Sequence, residues 1–475
     1  MELLFESRLC VGSLQGKLGW VQNTPTIHEE PVLVGDTLAD GAGATIYGTV
    51  LRDGGVYRMW YQAWPKDWRG QGVALVGYAE SDDGAAWRKR ALGICPYGGA
   101  ASHLTNLGFH SPSVFIDPEA PARERYRATG YAHPRYAGAP PGLPTEGYYA
   151  AHSADGLSWT LDAPTPVWPG GDVITSVYHT GRRQGIAALK YSPRYHGIPR
   201  RSVWHAERHD GAWSAPRRAL VPDDFDDVAA AARGCASGDY YGMAMQPAGR
   251  STIGFLWNFR HSLPRTATPG SESGVFGATS VSLVFQEDEG DCWQHAPGRR
   301  DFVPADAFPW ARGGVYTAST PVEAGDAHRL YLCGACQTHG WYLSNSWQVL
   351  DRWKRTLAEE GIARISYVEW PRWRLFGYRA DPEGIIELRL GRVTVPFRLL
   401  LNYECEGDGS VRVEVPGAPD RSVENAAALT GSSLGAPAAW RTGETIQPPP
   451  DGAELTVRLH MERATVWAYE VGPAA

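Results

Sequence analysis

The chain has 475 residues, 43% hydrophobic and 20% charged, which is the composition of a soluble globular protein with room for more than one domain. A net charge of −7 argues against nucleic acid as a partner, because phosphate binding wants a clustered basic surface. No apolar run approaches the roughly 18 to 20 residues of a spanning helix, so no membrane association is expected.

The first residues, MELLFESRLCVGSLQGK, show neither a basic n-region nor an apolar h-region, so no secretory signal is expected. Seven scattered cysteines fit a reduced, cytoplasmic protein. The 55 glycines and 35 prolines predict many turns and few long helices.

In chain order, short runs rich in Val, Tyr and Trp alternate with Gly, Asp and Pro. The first group is IYGTVLRDGG, VYRMWYQAW and VALVGYAES. The second is HSPSVFIDP, ERYRATGYAH and EGYYAAHS, and the third DVITSVYHT, QGIAALKYSPR and RSVWHAER. DYYGMAMQPAG, STIGFLWNFRH and SVSLVFQED follow, then GGVYTASTPVE, HRLYLCGACQTHG and ARISYVEW. A helix is predicted over SWQVLDRWKRTLAEEG, residues 346–361.

Four of the groups end in a related turn: SDDGAAW (81–87), SADGLSW (153–159), RHDGAW (208–213) and EDEGDCW (287–293). Asp can bond its own backbone there, Gly permits positive φ, and Trp folds under the hairpin, so the turn is read as structural. The tryptophan gaps of 72, 54 and 80 residues are too long and uneven for a solenoid and suit propeller blades with variable loops. The expected architecture is all-β: a five-bladed β-propeller over residues 1–365 and a C-terminal antiparallel β-sandwich over 366–475, where apolar and polar residues alternate in short strands.

A propeller gathers the starts of its innermost strands around one axis, a natural pocket. Those starts offer Glu30, Asp36 and Asp40 for blade one, and Asn106 and His110 for blade two. Asp172, followed by His179, serves blade three; Arg233, Asp239 and Tyr241 serve blade four; Trp310 and Arg312 serve blade five. Paired carboxylates on an axis suit glycoside hydrolysis, one protonating the leaving oxygen and the other acting as base or nucleophile. Asp172 is expected to be the general acid or its partner, completed by Asp239 and by Glu30 or Asp40. His110, Asn106, His179, Arg233, Arg260 and Arg312 are candidate substrate contacts, and Tyr241, Trp257 and Trp310 candidate stacking surfaces.

The blade pattern, with MWY in VYRMWYQAW, GYAESDDGAAW and YYAAHSADGLSW, followed by a terminal sandwich, resembles the five-bladed propeller glycosidases of glycoside hydrolase families 32 and 43. The resemblance implies a base or nucleophile on blade one, a tuning acid on blade two and an acid on blade three. Here blade one offers Glu30 or Asp40 and blade three Asp172, while blade two carries His110 in place of an acid. The family 32 Trp-Met-Asn-Asp-Pro and Arg-Asp-Pro segments are absent, and the Glu404–Cys405 pair lies in the predicted sandwich.

The expected activity is exo-acting hydrolysis of a furanoside or small oligosaccharide, with no cofactor and no metal. Two alternatives stay open: a non-catalytic carbohydrate-binding propeller, and a phosphorylase or transferase using Arg233, Arg260, His261 and Arg312 for phosphate. Cys333 and Cys336 form a lone CxxC that favours neither zinc nor redox chemistry, and the acidic run DDFDDV (223–228) is expected to be a solvated loop.

Overall fold

The computed structural model describes residues 2–3, 11–264, 272–287, 292–340, 359–449 and 452–474. Among the described residues its strands form five antiparallel sheets of four or five strands, and a two-stranded hairpin of Arg194–Tyr195 and Ile198–Pro199, in one unit, residues 25–324 and 329–369, and a further sheet in a second. The five are the blades of a propeller. Blade one runs outward through Gly43–Asp53, Val56–Trp64, Val76–Ser81 and Ala100–Thr105, and blade two through His110–Ile116, Tyr126–Ala132, Gly147–Ser153 and Thr160–Leu161. Blade three begins with Ile174–His179, Gln184–Tyr191 and Ser202–His209, and blade four with Ser237–Ala248, Ser251–His261 and Gly277–Gln286. Blade five joins Val315–Thr317, Ala327–Ala335 and Ala363–Pro371 to Thr26–Leu33, so an early segment supplies its outer strand.

Hydrogen bonds between successive inner strands close the ring. Val114 N donates to Thr49 Oγ1 at 2.9 Å, and Ser176 N to Ser113 Oγ at 2.7 Å. The Thr175 hydroxyl donates to Met243 O, and Met245 N to Ser319 O at 2.9 Å. Ser319 N then donates to Gly48 O at 2.9 Å, returning to blade one. Small hydroxyl residues are needed at these positions. The axis is too narrow for long side chains, and a buried backbone N–H left unpaired there costs about 1–3 kcal/mol.

The repeated turn has one geometry where its sequence is most alike. In SDDGAAW, Asp83 Oδ1 accepts from Ser81 Oγ (2.9 Å), Ala85 N (2.8 Å) and Ala86 N (2.9 Å). In SADGLSW, Asp155 Oδ1 accepts from Ser153 Oγ (2.9 Å), Leu157 N (2.8 Å) and Ser158 N (2.9 Å). These donors hold the Asp83 carboxyl down at about 2. Gly156 sits at φ 78°, and its carbonyl accepts Trp60 Nε1 of blade one at 2.7 Å. The Gly84 carbonyl likewise accepts from the Tyr331 hydroxyl of blade five, at 2.5 Å. The turn tryptophans wedge between blades: Trp87 against Tyr331, Trp213 against Phe115 and Trp293 against His205. The third turn is a tighter hairpin, with Asp210 and Gly211 both at positive φ.

The second unit comprises residues 1–24, 325–328 and 370–475. Its six-stranded sheet contains Val11–Gln22 paired with Phe376–Arg392. The sequence boundary at residue 365 therefore needs correction at the N-terminus. Residues 11–22 alternate well enough to serve in any sheet, and only the pairing partner decides which. Phe376–Arg392, Phe397–Glu414 and Glu454–Pro473 each shift register partway along their length. Side chains from both halves of these strands, such as Tyr378 with Ile386 and Leu401 with Val413, meet in a single core. That is a sandwich made from a sheet folded on itself.

Two smaller expectations also change or fall away. The acidic run is not a loop: Asp224–Ala231 is an α-helix, and Asp223 caps it by accepting from Phe225 N and Asp226 N. The helix predicted over 346–361 lies almost wholly outside the described residues.

Candidate functional site

All five inner strands begin at the same end of the propeller. A cavity of about 400 Å³ opens there, directly above the hydrogen-bonded ring. Thr45 and Tyr47 come from blade one, His110 from blade two, Asp172 from blade three, Tyr241 from blade four and Tyr316 from blade five. Each lies a few residues before the ring position on its own strand. The rest of the lining comes from the loops joining second to third strands: Trp68 and Gln71, Tyr136, Arg201, Val275, and Gln337 with His339.

The floor is aromatic. Tyr47 packs on Tyr241 (6.5 Å between ring centroids), Trp257 (6.0 Å) and Tyr316 (5.1 Å), and Tyr241 on Tyr316 (5.5 Å). Burial pushes the hydroxyls of Tyr47 and Tyr316 up, so both stay neutral.

Asp172 is the only carboxylate among the described lining residues. Its side chain keeps 35% of its surface open, while Lys190 behind it keeps 8%. Lys190 Nζ forms an ion pair with Oδ2, and His110 Nε2 lies 3.6 Å from Oδ1. Burial alone would raise the Asp172 carboxyl. The Lys190 and His110 charges and hydrogen bonds outweigh it and hold the group well below the usual carboxylate range. Burial pulls the Lys190 amine down, opposed by Asp172, and its Nζ stands 4.2 Å over the Tyr241 ring.

Across the cavity, His339 Nδ1 bonds Val275 O, which leaves Nε2 to accept from the Tyr241 hydroxyl at 2.8 Å. Burial and the Arg201 charge bring His339 down to about 4, so it is neutral at ordinary pH.

Of the thirteen candidates read from the sequence, Asp172, His110 and Tyr241 line the cavity. The other three carboxylates do not. Asp239 is buried and bonds Arg200 Nε (2.8 Å) and His261 Nε2 (2.9 Å). Asp40 is buried under Lys89, Tyr61 and His103, and despite burial the His103 and Lys89 contacts hold its carboxyl well below the usual range. Glu30 sits on the outer strand of blade five, because its segment pairs with Ala363–Pro371.

Asn106 bonds the backbone of Trp159, and His179 accepts Arg182 N while donating to Ser251 O. Arg233 and Arg260 both pair with Asp301, and Arg312 with Glu360. Trp257 is fully buried beneath the floor, with Nε1 on Thr317 Oγ1, and Trp310 stacks on Phe308. Each of these has a partner within the protein, and none lines the cavity. A charged residue at a blade's rim is as useful for closing a loop as for meeting a ligand.

Sequence reasoning missed Lys190, Arg201, His339 and Tyr136. A lysine in the apolar strand QGIAALKY was a readable signal. The others lie in loops whose approach to the axis depends on the hairpins that carry them. One further carboxylate belongs to this face: Glu146, at the end of the blade-two loop, accepts the Tyr131 hydroxyl at 2.6 Å. Burial first, then the charges of Glu146 and Asp172, raise Tyr131 and Tyr136.

No family model matches the sequence, and no curated protein matches it. Among solved structures, the chain is similar to a β-1,2-mannobiose phosphorylase from Listeria innocua (10% identity, 74% of this chain and 97% of that one, TM-score 0.44). It is also similar to a GH32 β-fructofuranosidase from Bombyx mori (10%, 96% of both chains, TM-score 0.42). A third is an exo-β-1,3-galactanase from Phanerochaete chrysosporium (11%, 94% of this chain and all of that one, TM-score 0.39).

Proposed function

We propose that the axial cavity holds the terminal sugar of a small glycoside, furanosidic or pyranosidic, and that the protein cleaves the adjoining glycosidic bond. The observation that carries this reading is a single ionised carboxylate, Asp172, facing an aromatic-floored cavity that is closed beneath. Aromatic faces take the C–H faces of a sugar ring, a carboxylate accepts from its hydroxyls, and a closed floor favours a chain end. The volume is that of roughly one or two sugar rings, within the range of small-ligand sites.

Asp172, ionised by Lys190 and His110, is fitted to act as base or nucleophile, the partner role of the two expected for it from the sequence. Glu146 is our candidate donor, since it is the carboxylate on the same face whose field reaches the same tyrosines. Asp172→Asn should lower turnover of an aryl glycoside by at least about 100-fold. Glu146→Gln should impair alkyl glycosides far more than aryl glycosides, whose leaving group needs no proton. Equal rates for all three proteins would refute both assignments.

A second reading, saccharide binding without turnover, is favoured by the absence of Asp40, Asp239 and Glu30 from the cavity. Titration calorimetry with a panel of sugars, alongside product analysis, separates the two: this reading requires binding with no product.

A further inference from the structure

Arg201 is the last residue of the loop before blade three's third strand, and it lines the cavity. Its guanidinium is fixed at one end, where Nη1 donates to Gly274 O at 2.7 Å. It lies 4.6 Å from the Phe259 ring and 5.6 Å from that of Tyr241. Among the described residues, no carboxylate comes within 4.0 Å of it. Its chain neighbour Arg200 is held by both Asp239 and Asp227. Lys190 pairs with Asp172, His339 is neutral with its Nδ1 proton committed to Val275 O, and among the described residues Arg201 has no carboxylate partner on the cavity wall. After burial, the Arg201 charge also lowers both Lys190 and His339, in keeping with its place on the cavity wall.

A guanidinium has five N–H donors in a rigid plane, and among the described residues only one of them finds an acceptor. Stacking on Phe259 keeps the plane in place, so the remaining donors are pre-set for a planar or tetrahedral anion. We propose that Arg201 forms an anion subsite, so that the ligand of this cavity carries a carboxylate or phosphate group next to the sugar held at Asp172. The inference rests on the saccharide reading above for the neighbouring group, but the anion subsite can be tested without it. Two sources share this chemistry: a uronic acid, whose carboxylate belongs to the sugar, and inorganic phosphate bound alongside it.

The test is calorimetry on the full chain with a neutral methyl glycoside, the matching methyl uronide and inorganic phosphate. The uronide or phosphate should bind about tenfold or more tighter than the neutral glycoside, and the advantage should shrink as salt rises. In Arg201→Gln the ratio of anionic to neutral affinity should fall toward one, while Arg201→Lys should keep part of it. The salt series on the unaltered protein gives an independent reading should a variant fail to fold. Preference for the uronide identifies the sugar carboxylate as the source; Arg201-dependent phosphate binding identifies phosphate. Arg201-dependent phosphate binding with no sugar bound would uphold the subsite and sink the saccharide reading. Equal affinities for neutral and anionic ligands, or an unchanged ratio in Arg201→Gln, would overturn the inference.

Discussion

Asp172 and Asp239 look alike in sequence, each following a glycine at the start of an inner strand, yet they have different work. Asp172 keeps a third of its side chain open to the cavity, whereas Asp239 has none exposed and is bound on both sides by Arg200 and His261. Asp239→Asn should therefore act on stability. It leaves Arg200 with one of its two carboxylates, and removing a buried partner costs about 3–5 kcal/mol at the upper end. Thermal or urea melts should show a large loss, with the activity per folded molecule little changed. At residue scale the sequence named Asp172, His110 and Tyr241 correctly as cavity residues, because an inner strand's start needs only the strand to be recognised. It could not tell ligand contacts from loop clamps, since that depends on whether a counter-charge such as Asp301 waits across the blade.

At the scale of the element, the turn is a device for joining blades. Asp155 gathers two backbone N–H groups and a hydroxyl, and the glycine it positions offers its carbonyl to Trp60 of the blade before. Asp155→Ala should cost about 2 kcal/mol, as hydrogen bonds to a charged acceptor do, and lower the melting temperature without altering ligand affinity. Gly156→Ala should cost more. It puts a side chain at φ 78° and a Cβ at 2.8 Å from the Trp60 ring. The turn was legible as structure from its composition. Its docking on the neighbouring blade was not, because the two partners lie 96 residues apart.

For the whole molecule, ring closure and acid stability are the testable properties. Thr26–Leu33 completes blade five by pairing with Ala363–Pro371, so the ends of the ring are held by strand pairing rather than by a covalent link. Replacing residues 26–33 with a flexible polar linker should leave the Ala363–Pro371 edge open while keeping Val11–Gln22 in its own sheet, and give an aggregating protein, checked by light scattering and solubility. Three buried histidines set the acid limb. Burial first, then nearby arginine charges, hold His295 and His339 at about 4 and His328 at about 3, below their ordinary 6.5. The folded chain thus binds fewer protons than the unfolded chain between those values. Their contribution is complete above about pH 6.5 and is lost as pH falls toward 4. A melting series from pH 8 to 4 should show the decline beginning near 6.5, before any carboxylate protonates. Replacing His295 with Gln should flatten it.

By itself, the sequence determined the blade count, the sandwich and the place of an axial cavity. Period-two alternation, turn chemistry and a recurrent Asp-Gly-Trp pattern are local properties that survive in one dimension. Tertiary structure decided which unit received residues 11–22, which loops bent over the axis, and which charges met a partner. Those outcomes depend on contacts between residues from different blades. Asp172 meets Lys190 and His110, and Arg201 meets Gly274 and Phe259, only because neighbouring strands and blades bring them together.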